Sequence, residues 1–332
     1  MSDVQHLSVS QDEDGIRLDR WFKRHYPGLS FGVLSRLLRT GQIRLDGKRA
    51  KPGDRIAAGQ DIRVPPVGAD ATQPPRGAGR TPKEGLSDQD IAEVRSWVLY
   101  KDDQVIALNK PAGLATQGGP GITRHVDGLL DALRFGKNDE RPRLVHRLDK
   151  DTSGVLMIAR TVRAASELAA AFKGRDAHKV YWALVKGTPS PREGKILAPM
   201  EKLPGPGGER MVVTERGKPA RTLYAVIENA GQKAAWLALK PLTGRTHQLR
   251  LHCAHMEHVI VGDGKYGGSE AFLGGLVSRK LHLHARRLRV PHPDGGVVDV
   301  IAPLPNHMDA TWETFGWDAE YEDDPFEDAG FL

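Results

Sequence analysis

The first stretch of strong patterning is helical. Leu18, Trp21, Phe22 and Tyr26 recur at the spacing of one helix face, with Arg17, Arg20, Lys23 and Arg24 on the others. Pro27-Gly28 stops that helix. Ser30 can cap a second, whose apolar positions are Val33, Leu34, Leu37 and Leu38, with Arg36 and Arg39 on its polar side and Gly41 past its end. Ile43-Arg44-Leu45 then alternates as a strand, Asp46-Gly47 is a hairpin turn signal, and Ile62-Arg63-Val64 closes the unit. From 65 to 88 the periodicity vanishes and Pro, Gly, Ala and Thr dominate, which predicts a flexible linker.

Beyond the linker the pattern is that of many strands with short helices between them. Strands are predicted at 98–100, 105–108, 179–187, 222–226, 234–239, 280–283, 288–290 and 297–301, with hairpins and loops over 189–219. Helices are predicted at 126–133, at 162–172 with Gly174 in the C′ position, and at 246–255 after the turn Leu242-Thr243-Gly244-Arg245. This is an α+β domain with a mixed, mostly antiparallel sheet, not a doubly wound one. Its centre is the stretch 143–160. Leu144 and Val145 lead into a polar turn and Val155 to Ala159 lead out, so two buried strands flank a tight loop that carries Asp149, with Arg147 two residues earlier. Taken alone, such an Asp serves equally as a turn former.

Composition narrows the function classes. The chain has 332 residues and a formal net charge of +6. That charge is unevenly spread: residues 17–63 carry 12 Lys/Arg against 4 Asp/Glu, while residues 318–332 carry 7 acidic residues and no basic one. With residues 64–317 carrying 36 Lys/Arg against 27 Asp/Glu, two basic bodies point to a polyanionic partner, and the acidic end reads as a disordered, solubilising tail. Cys253 is the one cysteine, which excludes an internal disulfide framework and fits a reducing compartment. Residues 1–15 are polar, with neither a basic n-region nor an apolar h-region, and no apolar run approaches the ~18 residues of a span. The expectation is a cytoplasmic protein without membrane contact, divided into a polar tail (1–15), a basic module (16–64), the linker (65–88), a catalytic body (89–317) and an acidic tail (318–332).

Particular residue runs carry two resemblances. Arg17-Leu18-Asp19, Ser35-Arg36 and Gly41-Gln42-Ile43-Arg44-Leu45-Asp46-Gly47-Lys48 resemble the RNA-binding domain first seen in ribosomal small-subunit protein S-four. In the body, His146-Arg147-Leu148-Asp149 with Asp151-Thr152-Ser153-Gly154 resembles the signature of RluA-type pseudouridine synthases. So do Asn109-Lys110-Pro111-x-Gly113, Lys179-x-Tyr181-x-Ala183-x-Val185-x-Gly187, Thr243-Gly244-Arg245-Thr246-His247-Gln248-Leu249-Arg250-x-His252, Gly262-Asp263-x-x-Tyr266-Gly267 and Leu283-His284-Ala285. The blocks fall in the family's order over about residues 97 to 305. With the N-terminal module and the loop Gln117-Gly118-Gly119, they sit nearest the RluC-like branch that acts on large-subunit ribosomal RNA. Glu257-His258-Val259 departs from the family's more usual Gly-His-Pro.

The resemblance implies isomerisation of uridine to pseudouridine in 23S ribosomal RNA, with no cofactor, no metal and no obligate protein partner. It implies Asp149, Tyr181 and Arg245 as catalytic residues. A carboxylate can attack the anomeric carbon, add to the base, or take a proton from the ribose, and the sequence leaves all three routes open. Arg245 would orient the carboxylate, and Tyr181 would stack on uracil, with its hydroxyl assisting proton removal from carbon five. Arg147 would hold the position in the RNA vacated by the flipped base, and Leu283 would floor the base. Arg17, Arg20, Arg36 and Arg44 would contact RNA phosphates. A transfer-RNA synthase, and a non-catalytic RNA-binding assembly factor, are the alternatives. The cluster His247, His252, Cys253, His255 and His258 lacks a metalloprotease spacing, Asp151-Thr152-Ser153-Gly154 has no second copy for an aspartic dyad, and there is no P-loop.

Overall fold

The structure, a computed structural model, describes residues 4–67, 86–119, 121–136, 140–174, 176–205 and 208–327. The chain divides into two units, Met1–Glu84 and Gly85–Leu332. The first contains β1 (Gln5–Ser8), α1 (Leu18–His25), α2 (Phe31–Arg39), β2 (Arg44–Leu45), β3 (Lys48–Arg49) and β4 (Asp61–Val64), with sheet order β1-β4-β2-β3. The predicted apolar face of α1 is its buried face: Leu18, Trp21, Phe22 and Tyr26 pack with Leu34, Leu38, Ile43 and Ile62. Ser30 caps α2 by accepting from the Val33 amide at 3.4 Å. Asp46 and Gly47 both take positive φ, 47° and 72°, the two-residue turn that matches strand twist.

The N-terminal segment read as a tail is part of this unit. β1 pairs antiparallel with β4 from Gln5↔Val64 to Ser8↔Asp61, and buried Glu13 accepts from Trp21 Nε1 at 2.9 Å. An edge strand held by backbone hydrogen bonds needs little apolar alternation, so its pattern is faint. At the other end Val64 and Pro65 are buried and Val67 packs on the core. Residues 68–85, most of the expected linker, lie outside the described residues.

The second unit contains α3 (Asp88–Ser96), β5 (Val98–Lys101), β6 (Val105–Lys110), α4 (Val126–Leu129), β7 (Arg143–Leu144), β8 (Ser153–Ala159), α5 (Val162–Gly174), β9 (His178–Lys186), β10 (Glu193–Leu197), β11 (Met200–Gly205) and β12 (Gly208–Val213). It continues with β13 (Arg221–Ala230), β14 (Ala234–Pro241), α6 (Gln248–His255), α7 (Gly264–Gly267), β15 (Leu283–Pro291), β16 (Val297–Ile301) and α8 (Asn306–Phe315). The main sheet runs β10-β13-β14-β9-β15-β8-β6-β5, with β7 on β8 and β16 on β15. It is a mixed sheet, antiparallel except where β15 meets β8 in parallel over His284↔Ser153 and Ala285↔Gly154. There Gly154 has φ +107°, and a Cβ on it would lie 2.2 Å from the Ala285 carbonyl oxygen, so only glycine lets the two strands close. Ala285 also faces Tyr181 of β9, which sets β8, β15 and β9 side by side.

Two further expectations change. The strand predicted at 280–283 begins only at Leu283 and continues without a break through 288–290 as one strand, β15, whose polar centre hid its continuity: Arg286 is buried, donates to Ala302 O at 2.8 Å and lies 4.2 Å above the Trp182 ring. The acidic end is not a free tail as far as Glu327. Tyr321 joins the Trp182–Trp236–Trp312–Trp317 cluster, Phe326 is buried, Asp324 accepts from His178 at 2.5 Å, and Glu327 pairs with Arg289. Its acids and backbone carbonyls meet His178 of β9 and Arg286, Arg287 and Arg289 of β15, so complementarity with basic strands explains the composition.

Candidate active site

The polar turn between β7 and β8 is clamped from below. Thr116 Oγ1 donates to Leu148 O at 2.7 Å and accepts from Leu148 N at 3.1 Å, and Thr152 N returns to Asp149 O at 3.2 Å. Lys110, wholly buried at the end of β6, donates to Pro111 O, Leu114 O and Lys150 O at 2.8, 2.8 and 3.1 Å. Three carbonyls take all three N–H bonds of an ammonium. Burial nevertheless brings Lys110 down to about 7, with the charges of Asp151 and Asp149 opposing the fall. The Asn109-Lys110-Pro111 run is therefore a buttress for the loop, a role its sequence did not reveal.

Above this turn lies a cavity of about 270 Å³. Asp149, Arg147, Tyr181, Arg245 and Leu283 all line it, so the structure brings the five residues expected in the body to one place. Asp149 is half-buried, and Arg147, two residues earlier in the same turn between β7 and β8, is exposed. Tyr181 is half-buried on β9, and its hydroxyl is held well above the ordinary phenol range by burial first and the Asp149 charge second. It stays protonated at neutral pH. Leu283 is buried at the start of β15. His146 is a wall of the cavity: its ring stacks on Phe172 at 4.1 Å, its Nε2 accepts from Met157 N at 2.8 Å, and burial with the nearby Lys179 charge lowers it to about 3.

The two arginines of the Thr243–Arg250 run have different places. Arg245 is exposed at the rim, and its Nε faces Pro219 O at 3.4 Å. Arg250, on α6, is buried and bound in bidentate fashion to buried Asp263, with Nε–Oδ2 2.8 Å and Nη2–Oδ1 2.6 Å. Burial works against the Arg250 charge, but Asp263 more than offsets it and Asp149 adds to the effect, so its pKa lies above the usual value. Of the two arginines, the one that is buried and electrostatically coupled to Asp149 is thus Arg250, while Arg245 is a rim residue. The pairing of Arg250 with the Gly262-Asp263 block was the signal to find. Gln248 shapes the preceding loop, accepting from Thr243 Oγ1 at 2.7 Å and Arg245 N at 3.1 Å.

The histidine cluster disperses. His252 meets Thr222 Oγ1 and Ala198 O, His258 meets Lys186 O, and His247 meets the Tyr266 hydroxyl. Among the described residues no three His, Cys, Asp or Glu side chains form a group that could hold a metal. Glu257 has φ +65°, which accounts for the family's usual glycine there. In the first unit Arg20 and Arg36 are exposed, and their guanidinium groups make no hydrogen bond or ion pair among the described residues. Arg17 is committed to Asp19 at 2.6 Å, and Arg44 to the Gly41 and Gly47 carbonyls. No helix among the described residues is long and apolar enough to cross a membrane.

Residues 104–255 match the RNA pseudouridylate synthase family. The chain is 35% identical to ribosomal large subunit pseudouridine synthase C of Salmonella typhimurium, over 92% of this chain and 94% of that one. The chain belongs to the RNA pseudouridylate synthase family. The synthase C of Escherichia coli K12 is likewise 35% identical over 91% of this chain and 93% of its own, and RNA pseudouridine synthase 4, mitochondrial, of Arabidopsis thaliana 35% over 93% and 81%. Among solved structures, human RNA pseudouridylate synthase domain containing 4 superposes with a TM-score of 0.58 at 25% identity, covering 69% of this pseudouridine synthase and 97% of the human chain. Human RNA pseudouridylate synthase domain containing 1 gives 0.52 at 30% identity, with 63% and 83% covered.

Proposed function

We propose that this pseudouridine synthase acts on uridine in large-subunit (23S) ribosomal RNA, with Asp149 as the reacting carboxylate. The observation that carries the reading is the gathering of Asp149, Tyr181 and Leu283 around one cavity with Arg147 and Arg245 at it. The C1′–N1 bond of uridine breaks, the C1′–C5 bond forms, and the C5 proton is lost as N1 gains one. Atoms balance without a cofactor. Asp149 supplies the carboxylate, by any of the three routes, and Arg250 holds a positive charge near it. Tyr181 packs its ring on the uracil and offers a neutral hydroxyl, since its raised pKa leaves almost no phenolate to act as a base. Leu283 floors the base. Arg147 occupies the gap left in the RNA, Arg245 binds the strand at the rim, and Arg20 and Arg36 give the first unit its free cations for phosphates. Cys253, single and buried, fits work in a reducing compartment such as the cytoplasm.

The target comes from the relatives, two of which are named for the ribosomal large subunit. The test is release of tritium from carbon five of uridine. A labelled large-subunit transcript should release label on incubation with the chain, and labelled transfer RNA should not. Release from transfer RNA alone overturns the target, and release from neither overturns the activity.

A further inference from the structure

A second depression of about 690 Å³ opens off the Asp149 cavity. The two share Phe172, Lys179, Pro241, Thr243, Gly244 and Arg245 along their common wall. Lys179 lies two residues before Tyr181 on β9, so both project from one face of the strand. It is half-buried, and its ammonium makes no hydrogen bond or ion pair among the described residues; the centre of the Phe172 ring is 5.9 Å away. Burial alone pulls its pKa down, whereas the Asp149 charge registers at Tyr181 and not at Lys179. Lys173 and Arg245 are exposed on the same depression, Lys240 lies at its edge, and the carboxylate lining it is Asp176. A half-buried ammonium without a partner is costly unless an anion from outside completes it.

We infer that this groove holds a phosphodiester of the RNA strand next to the flipped uridine, and that Lys179 is its anchor. The inference rests on the pseudouridine synthase reading and names where the strand leaves the active site. A phosphate fits better than a uracil carbonyl because the cations continue outward, away from Asp149, as a strand's charges do. Lys179 is therefore a binding residue whose contribution is read in salt dependence.

The test is filter retention of a large-subunit rRNA transcript by the full chain across salt concentrations. Loss of one phosphate contact to single-stranded RNA lowers the slope of log affinity against log salt by ~0.7, which amounts to about fourfold at 0.15 M salt. Lys179→Met should show both changes, and Lys179→Arg should restore the slope. Lys173→Met, an exposed change that spares folding, should also flatten the slope if the groove carries the strand. A Lys179→Met protein that folds and keeps the wild-type slope overturns the inference, as does an unchanged slope in Lys173→Met where Lys179→Met fails to fold. Retention needs no turnover, so the result stands apart from the tritium assay that decides the parent reading.

Discussion

Removing Arg250 should damage stability and chemistry through separable causes. Its guanidinium and the Asp263 carboxylate retain 8% and 1% of their side-chain exposure and are joined by two short hydrogen bonds. Arg250→Met leaves Asp263 buried and charged, with only the Lys265 and Tyr266 amides, each at 3.2 Å, as partners. Breaking such a buried pair from one side costs about 3–5 kcal/mol. For a unit of this size, at ~2–4 °C per kcal/mol, the melting temperature should drop by roughly 10 °C. Adding Asp263→Asn removes the stranded charge while keeping an amide oxygen for the same two N–H groups. Much of the stability should therefore return in the double variant, as happens when both charges of a buried pair are replaced together. Activity should not return, because Asp149 still lacks the Arg250 charge. Urea unfolding and tritium release, measured below the melting temperature of each variant, give the two readouts. If Arg250→Met lost less than ~1 kcal/mol, or the double variant regained both stability and turnover, the electrostatic reasoning would be wrong.

Three other outcomes follow from the same geometry. His146 and His284 are held near 3, and His252 and His282 near 4, all chiefly by burial. Their folded pKa values lie below the unfolded ~6.5, so the unfolded chain takes up protons that the folded one refuses as pH falls from about 6.5 towards 4. Each should remove roughly 1–2 kcal/mol by pH 5, and urea unfolding of equal midpoint at pH 7 and pH 5 would contradict this. Gly154→Ala forces a Cβ onto the Ala285 carbonyl at a positive φ and should cost about 3 kcal/mol or more; a melting point within 2 °C of wild type would show that β8 and β15 can separate cheaply. Arg147→Ala should lower turnover on folded RNA more than on an unstructured substrate, and equal loss on both would remove Arg147 from base flipping.

Where a side-chain pattern decides the structure, the sequence is legible. The apolar faces of α1 and α2, the Asp46-Gly47 turn and the alternation of β9 all follow local rules, and family blocks locate Asp149 and Tyr181. Where tertiary partners decide, it is not. β1 exists because β4 has a free edge, and α3 is capped by Ser87 in what looks like linker, with Ser87 Oγ accepting from Asp90 N at 3.1 Å. The segment after Asp318 folds back because Arg286, Arg287 and Arg289 line one strand far away in sequence. The choice between Arg245 and Arg250 is of the same kind. Both stand in one motif, and only the position of Asp263 shows which is buried beside Asp149. Lys110 sits in a block recognised at once, yet its work is visible only as three bonds to backbone carbonyls 40 or fewer residues away.

The central claim is that Asp149 performs the bond exchange. Asp149→Asn keeps the size of the side chain and removes its nucleophilic, proton-accepting charge. Incubated with transcript labelled with tritium at carbon five of uridine, the variant should release no label while retaining the transcript on a filter as well as wild type does. Label release at the wild-type rate from an Asp149→Asn protein would contradict the account.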